Sequence, residues 1–171
     1  LGVMIFNVRN LSVSRAQSGA TCHVAEHAHA AGDGLPAPVV GEQLQTQGFR
    51  NVPTLRYLDQ NTEFHFVTEE DGSQTPTGGF DWDGRAASFA EQASGPLFGP
   101  HEMGLKGPAD LQARLQAAAY AADVRAVFGA DALDTPASAL KSASRALSAF
   151  QKEDPRFHPY DSNYVLYLAG K

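Results

Sequence analysis

A six-residue run, Ser18-Gly19-Ala20-Thr21-Cys22-His23, narrows the choice of fold more than any other stretch of this chain. It sets the only cysteine directly before a histidine. In a Cys-x-x-Cys-His run, two thiolates add to the vinyl groups of a porphyrin and the histidine takes an axial iron position. Here Cys22 and His23 match the second cysteine and the histidine, and Gly19 stands where the first cysteine belongs. One thioether still tethers a haem, and the adjacent histidine still reaches its iron. A Cys-His pair alone is common, and a lone cysteine is most often a small buried apolar residue. The rest of the chain decides.

A length of 171 residues suits one domain with a real core. No apolar run approaches the ~20 residues that cross a bilayer, and no signal peptide opens the chain. The start, Leu1-Gly2-Val3-Met4-Ile5-Phe6, reads as a helix already under way, as after processing or trimming, so the missing leader does not argue for the cytosol. The net charge of −6 comes without a stripe of Lys and Arg, which excludes nucleic acid as a partner. An acidic surface suits a basic protein such as a small electron carrier, and it is also the usual means of staying soluble. One cysteine excludes an internal disulfide and leaves the redox compartment open.

Residues 1–58 hold a short helix, the Cys-His segment and a loop rich in Gly and Pro from Gly32 to Gly41. Residues 59–80 alternate through Phe64-His65-Phe66-Val67, turn at Glu69-Glu70-Asp71-Gly72 and return to Gly78-Gly79-Phe80, which predicts an inserted β-hairpin. Helical signals run on from Ser88. Leu111 and Leu115 share a face, and Ala122, Val127 and Phe128 are expected to continue an apolar side until Gly129. The clearest helix is 136–151: Thr135 is the N-cap, Pro136 opens it, Leu140, Ala143, Leu147 and Phe150 form its core stripe, and Asp154-Pro155 ends it. The expectation is a mainly α, cytochrome c-like domain over 1–171 around one haem, with 59–80 as an appendage.

Chemistry concentrates in Gly79-Phe80-Asp81-Trp82-Asp83-Gly84-Arg85-Ala86, Glu91-Gln92-Ala93, Gly95-Pro96-Leu97 and Pro100-His101-Glu102-Met103-Gly104. Singly, Trp82 beside an arginine reads as a packing corner, Glu102 as a helix-start carboxylate and Met103 as core. In order, they say more. Leu1-Gly2 to Phe6, Leu11-Ser12-Val13-Ser14, Gln17-Ser18, Thr21-Cys22-His23 and Ala28-His29-Ala30 through Asp33-Gly34 open the series. Arg50-Asn51-Val52-Pro53-Thr54-Leu55, Trp82-Asp83-Gly84-Arg85-Ala86, Glu91-Gln92-Ala93, Glu102-Met103-Gly104 and Phe157-x-Pro159-Tyr160-Asp161-Ser162 with Tyr164 complete it. The series resembles the N-terminal haem domain of the bacterial di-haem cytochrome c peroxidases, a group that includes the related enzymes of methylamine utilisation. Members continue into a second haem domain, which this chain does not reach before Lys171.

The resemblance implies roles for individual residues. His23 is the proximal ligand of the peroxide-reactive haem, and Cys22 carries its single thioether. On the distal side Glu102 is the general acid-base and Gln92 hydrogen-bonds peroxide or a water. Trp82 lies between the two haems, suited to electron or hole transfer. Asn51 matches a calcium ligand, and Arg85 suits a haem propionate. His27 and His29 read as partly exposed loop residues, leaving the sixth iron position open or held by water. Implied partners are hydrogen peroxide and either a second haem domain or a small cytochrome or cupredoxin donor, in a bacterial periplasm, without a membrane span and with a homodimer as one arrangement. Two other readings stay open: a mono-haem electron-transfer module and, because of Gly19, a haem-free structural remnant. A relative that uses peroxide to oxidise another protein is a variant of the first.

Overall fold

The structure is a computed structural model that describes residues 1–32 and 34–171; Asp33 of the Cys-His loop lies outside the described residues. Helices dominate it: α1 Gly2–Asn7, α2 Gly19–Cys22, α3 Phe89–Phe98, α4 Pro108–Gln116, α5 Ala121–Phe128, α6 Pro136–Glu153 and α7 Asn163–Leu168. Two small antiparallel hairpins join them, β1 Val39–Val40 with β2 Thr46–Gln47, and β3 His65–Thr68 with β4 Gln74–Thr77.

The centre is α6, and its sequence explains why. Ser138 N donates to Thr135 Oγ1 at 3.1 Å and Thr135 N donates to Ser138 Oγ at 3.1 Å, a reciprocal cap that satisfies the first free amides. Pro136 occupies a position whose amide needs no partner. The helix runs two residues past the expected end and stops at Asp154, before Pro155. Ala139, Ala143 and Ala146 are buried along it, and such small side chains let α1, α3 and α4 approach closely. Leu147 is buried with them, while Leu140 and Phe150 lie at the edge of the same core.

Leu111 and Leu115 are fully buried on α4 as expected. The expected apolar side of α5 is corrected. Val127 is exposed and so is Ala122, whereas Tyr120 and Val124 are buried and Phe128 lies half in. Positions 120, 124 and 128 repeat every fourth residue and so share the inward face; 122 and 127 do not.

The hairpin expected within 59–80 is present, with His65 opposite Thr77 and Thr68 opposite Gln74. Its base is tied by Phe64 N to Ala87 O at 3.0 Å and Gly79 N to Thr62 O at 3.0 Å. All residues of both strands are exposed except Thr77, which is half-buried, so the hairpin stands out from the core as an appendage. The smaller β1–β2 pair, in and after the predicted Gly/Pro loop, was not expected. Its strands are two residues each, too short to leave an alternating pattern.

Candidate functional site

α2 is a single turn held at its start by Ser18 N donating to Thr21 Oγ1 at 2.9 Å. It delivers Cys22 and His23 at its C-terminal end. His23 Nδ1 lies 2.9 Å from the carbonyl oxygen of His29. With the proton on Nδ1, that bond selects the tautomer that presents Nε2 as a lone pair, the arrangement found behind metal-bound imidazoles. Burial pushes the His23 pKa down, and hydrogen bonds to the His29 and Pro53 carbonyls oppose it only partly. The balance favours the neutral ring, the form that ligates iron.

His29 corrects an expectation. It is 5% exposed, not a partly exposed loop residue, and its ring lies 4.3 Å from that of Phe157. Its backbone bonds back through His29 N to Val24 O at 2.9 Å, with Ala28 and His29 both left-handed. The carbonyl that orients His23 is thereby fixed to the core. His27 is exposed, as expected.

Two neighbouring hollows open beside this turn. One, of about 270 Å³, is bordered by Cys22 with Val24, Val39, Val40 and Val52. The other, of about 360 Å³, has Asn51, Val52, Pro53 and Trp82 on its walls. A thiol, a neutral imidazole and branched aliphatic walls suit a porphyrin edge. At Gly19 the fit has one restriction. A Cβ there would lie 2.7 Å from the Phe6 ring and 3.0 Å from the Phe6 carbonyl oxygen, so no side chain enters that side. The residues fit a haem held by one thioether.

The distal candidates come from α3 and the turn after it. Ser88 Oγ accepts from Glu91 N at 3.2 Å and starts α3, which places Gln92 in the first turn. After Phe98 the chain doubles back, with Glu102 N bonded to Gly99 O at 2.9 Å and Met103 N to Pro96 O at 3.1 Å. The Glu102 carboxyl lies where a Cβ on residue 99 would sit, so a side chain there would push it aside. Gln17 donates its amide to the Glu102 carbonyl and ties this turn to the segment leading into Cys22. Met103 is buried in the main core, as read.

Asp81, unremarked in the sequence reading, sits among these groups. Gln92 Nε2 donates to Asp81 Oδ1 at 3.4 Å, and Arg85 Nη2 lies 3.2 Å from Asp81 Oδ2. Arg85 also pairs with Asp83 at 2.8 Å, and Asp83 with Arg50 at 2.9 Å. The Arg85 fork is thus held by carboxylates of this chain. Glu102 is exposed as a residue, while the protein around its carboxyl shields that group in part. That shielding, with the charge of Asp81, raises its pKa against the pull of Arg85 and His101.

Trp82 is 63% exposed, its Nε1 donating to Asn51 O at 3.2 Å; it is no packing corner. Asn51 lies exposed beside the larger hollow. Among the described residues, no three His, Cys, Asp or Glu side chains gather to hold a metal ion, and no helix is long and apolar enough to cross a membrane.

Cys22 and His23 thus sit at the end of one helical turn, Gln92 in α3 and Glu102 in the turn after it. The whole chain, residues 1–171, matches the family described as di-haem cytochrome c peroxidase, and it belongs to that family. It is 37% identical over 175 residues to the methylamine utilization protein MauG of Paracoccus denitrificans, covering 100% of this chain and 44% of that protein. Its structure is similar to that of a variant of the diheme peroxidase BthA from Burkholderia thailandensis, with TM-score 0.89 and 30% identity, covering 99% of this chain and 42% of that one. A MauG-like protein associated with microbial copper homeostasis is similar at TM-score 0.67 and 26% identity, over 99% of this chain and 43% of that one. The chain therefore spans less than half the length of these relatives.

Proposed function

We propose that this chain is a haem peroxidase domain that reduces hydrogen peroxide with electrons from a second haem domain or from a small cytochrome or cupredoxin. The observation that carries this reading is the placement of Glu102 on the turn after α3, where burial and the charge of Asp81, to which Gln92 bonds, raise the pKa of its carboxyl. Cys22 and His23 would hold the haem, and the Nδ1 bond to His29 keeps the His23 ring turned with Nε2 outward. Bound haem supplies an iron that binds peroxide and passes electrons to it.

The net reaction takes one peroxide, two electrons and two protons to two waters. Heterolytic splitting of the O–O bond, with the outer oxygen leaving as water, requires that a proton leave the inner oxygen and arrive at the outer one. Glu102 Oε2 or Oε1 can take that proton and return it. Gln92, a neutral amide, orients the peroxide without competing for the proton. Periplasmic residence and a calcium near Asn51 belong to the same proposal, as does charge transfer through Trp82.

The exposure of Trp82 favours a second reading, in which the oxidising equivalents leave through the surface to a protein substrate. The test of the first reading is Glu102→Gln in haem-loaded protein. Rapid mixing with peroxide is expected to slow by about 10²–10⁴-fold with haem content unchanged. Equal rates would make Glu102 a structural carboxylate and leave the electron-transfer module as the better account.

A further inference from the structure

No role of its own has been given to Asp81 above, yet it bonds directly to Gln92 of the distal pair. Its side chain is 16% exposed, and its backbone is left-handed at φ 66°, a conformation non-glycine residues rarely adopt. Its two carboxylate oxygens divide the work: Oδ1 accepts from Gln92 Nε2 and Oδ2 meets Arg85 Nη2. Arg85 is braced in turn by Asp83, and Asp83 by Arg50. The carboxylate is therefore pinned from behind by a guanidinium.

An amide has one donating and one accepting end, and a carboxylate accepts only. Opposite Asp81 the Gln92 amide must point its nitrogen at the carboxylate, which turns Oε1 the other way. A flipped amide would put two acceptors face to face. We propose that Asp81 is a positioning residue of the distal site: held by Arg85, it locks the Gln92 amide with its oxygen as the free, accepting end. The proposal rests on the peroxidase reading for the roles of Gln92 and Glu102. The charged groups that face Glu102 are Asp81, which favours its proton, and Arg85 and His101, which oppose it.

An acceptor at Gln92 suits the O–H of peroxide or of a water, which donates. The left-handed turn at Asp81 is what aims its carboxylate inward while Trp82, the next residue, faces out.

The test uses Asp81→Asn, which keeps shape and an accepting oxygen but removes the charge, and Asp81→Leu, which removes both. Infrared difference spectra of the haem-loaded protein, taken across pH, follow the protonated carboxyl band that Glu102→Gln abolishes. In Asp81→Asn the midpoint of that band is expected to move to lower pH, and restoring charge with Asp81→Glu is expected to move it back. Asp81→Leu is expected in addition to slow the reaction with peroxide by at least about tenfold, as misplaced catalytic groups do. Asp81→Leu reacting with peroxide at the wild-type rate, with haem content and far-ultraviolet circular dichroism unchanged, overturns the proposal. If Asp81→Asn moves the band while Glu102→Gln leaves the peroxide rate intact, the peroxidase roles fail and the electrostatic coupling stands. The two failures are thus distinguishable.

Discussion

At position 19 a hydrogen occupies the place where any side chain would meet the Phe6 ring at 2.7 Å. Phe6 is itself held by Phe150 and Phe157, at ring separations of 5.5 Å and 6.3 Å. Gly19→Cys alone should therefore not give a doubly attached haem. Pyridine haemochrome spectra should stay of the single-thioether type in that variant and change only when Phe6→Ala is added; a shift in Gly19→Cys alone would contradict the steric account. Glu102 makes a second residue-level case. Its raised folded pKa means that the native state binds the proton more tightly than the unfolded chain. The contribution is complete at acid pH and is lost as pH rises through Glu102's own range. Glu102→Gln should thus unfold at higher urea than wild type at neutral pH, with the gap closing in acid. The candidates Cys22, His23, Gln92 and Glu102 could be picked out in the sequence because they sit in short motifs. Asp81 was not, since its partners are brought in by a left-handed turn that a string of residues does not display. The burial of His29 was hidden likewise, because Phe157 meets it from 128 positions away.

The elements were easier to read where the chain signals its own boundaries. The reciprocal Thr135–Ser138 cap, Pro136 and Asp154-Pro155 mark α6 locally, and the structure keeps all of them. Inward and outward faces of α5 were not local, since they depend on which side meets α4 and α6. Thr135→Ala removes one half of the cap and should cost about 1 kcal/mol, read as a lower urea midpoint with an unchanged slope. The loop from Val24 to Ala30 offers a pH test. Burial, helped by the nearby charges of Arg56 and Arg156, lowers the pKa of His29. A depressed histidine binds fewer protons folded than unfolded, so stability should fall as pH drops below about 6.5. Haem-free protein should show a lower urea midpoint at acid pH, and His29→Phe, which keeps an aromatic ring against Phe157, should flatten that part of the dependence. An equal slope in both proteins would assign it elsewhere.

On the scale of the whole molecule, the chain carries one haem motif, yet the proposed reaction consumes two electrons per peroxide. Those electrons have to arrive across the surface, and the surface has a character that can be tested. Its net charge is −6 with 19 acidic against 13 basic side chains. Trp82 is exposed on it beside the hollow that borders Pro53, whose carbonyl hydrogen-bonds the His23 ring. A field of that sign draws a positively charged carrier and repels an acidic one, and salt screens both effects over roughly 8–10 Å at physiological ionic strength. Peroxide turnover by haem-loaded protein with a reduced basic cytochrome should therefore slow as salt rises, while turnover with an acidic cytochrome should start slow and rise. Because encounter and not chemistry is screened, the change should appear in kcat/KM at low donor concentration, with the single-turnover reaction with peroxide unaffected. Equal salt response for the two carriers would mean that electrons enter without guidance from this acidic surface.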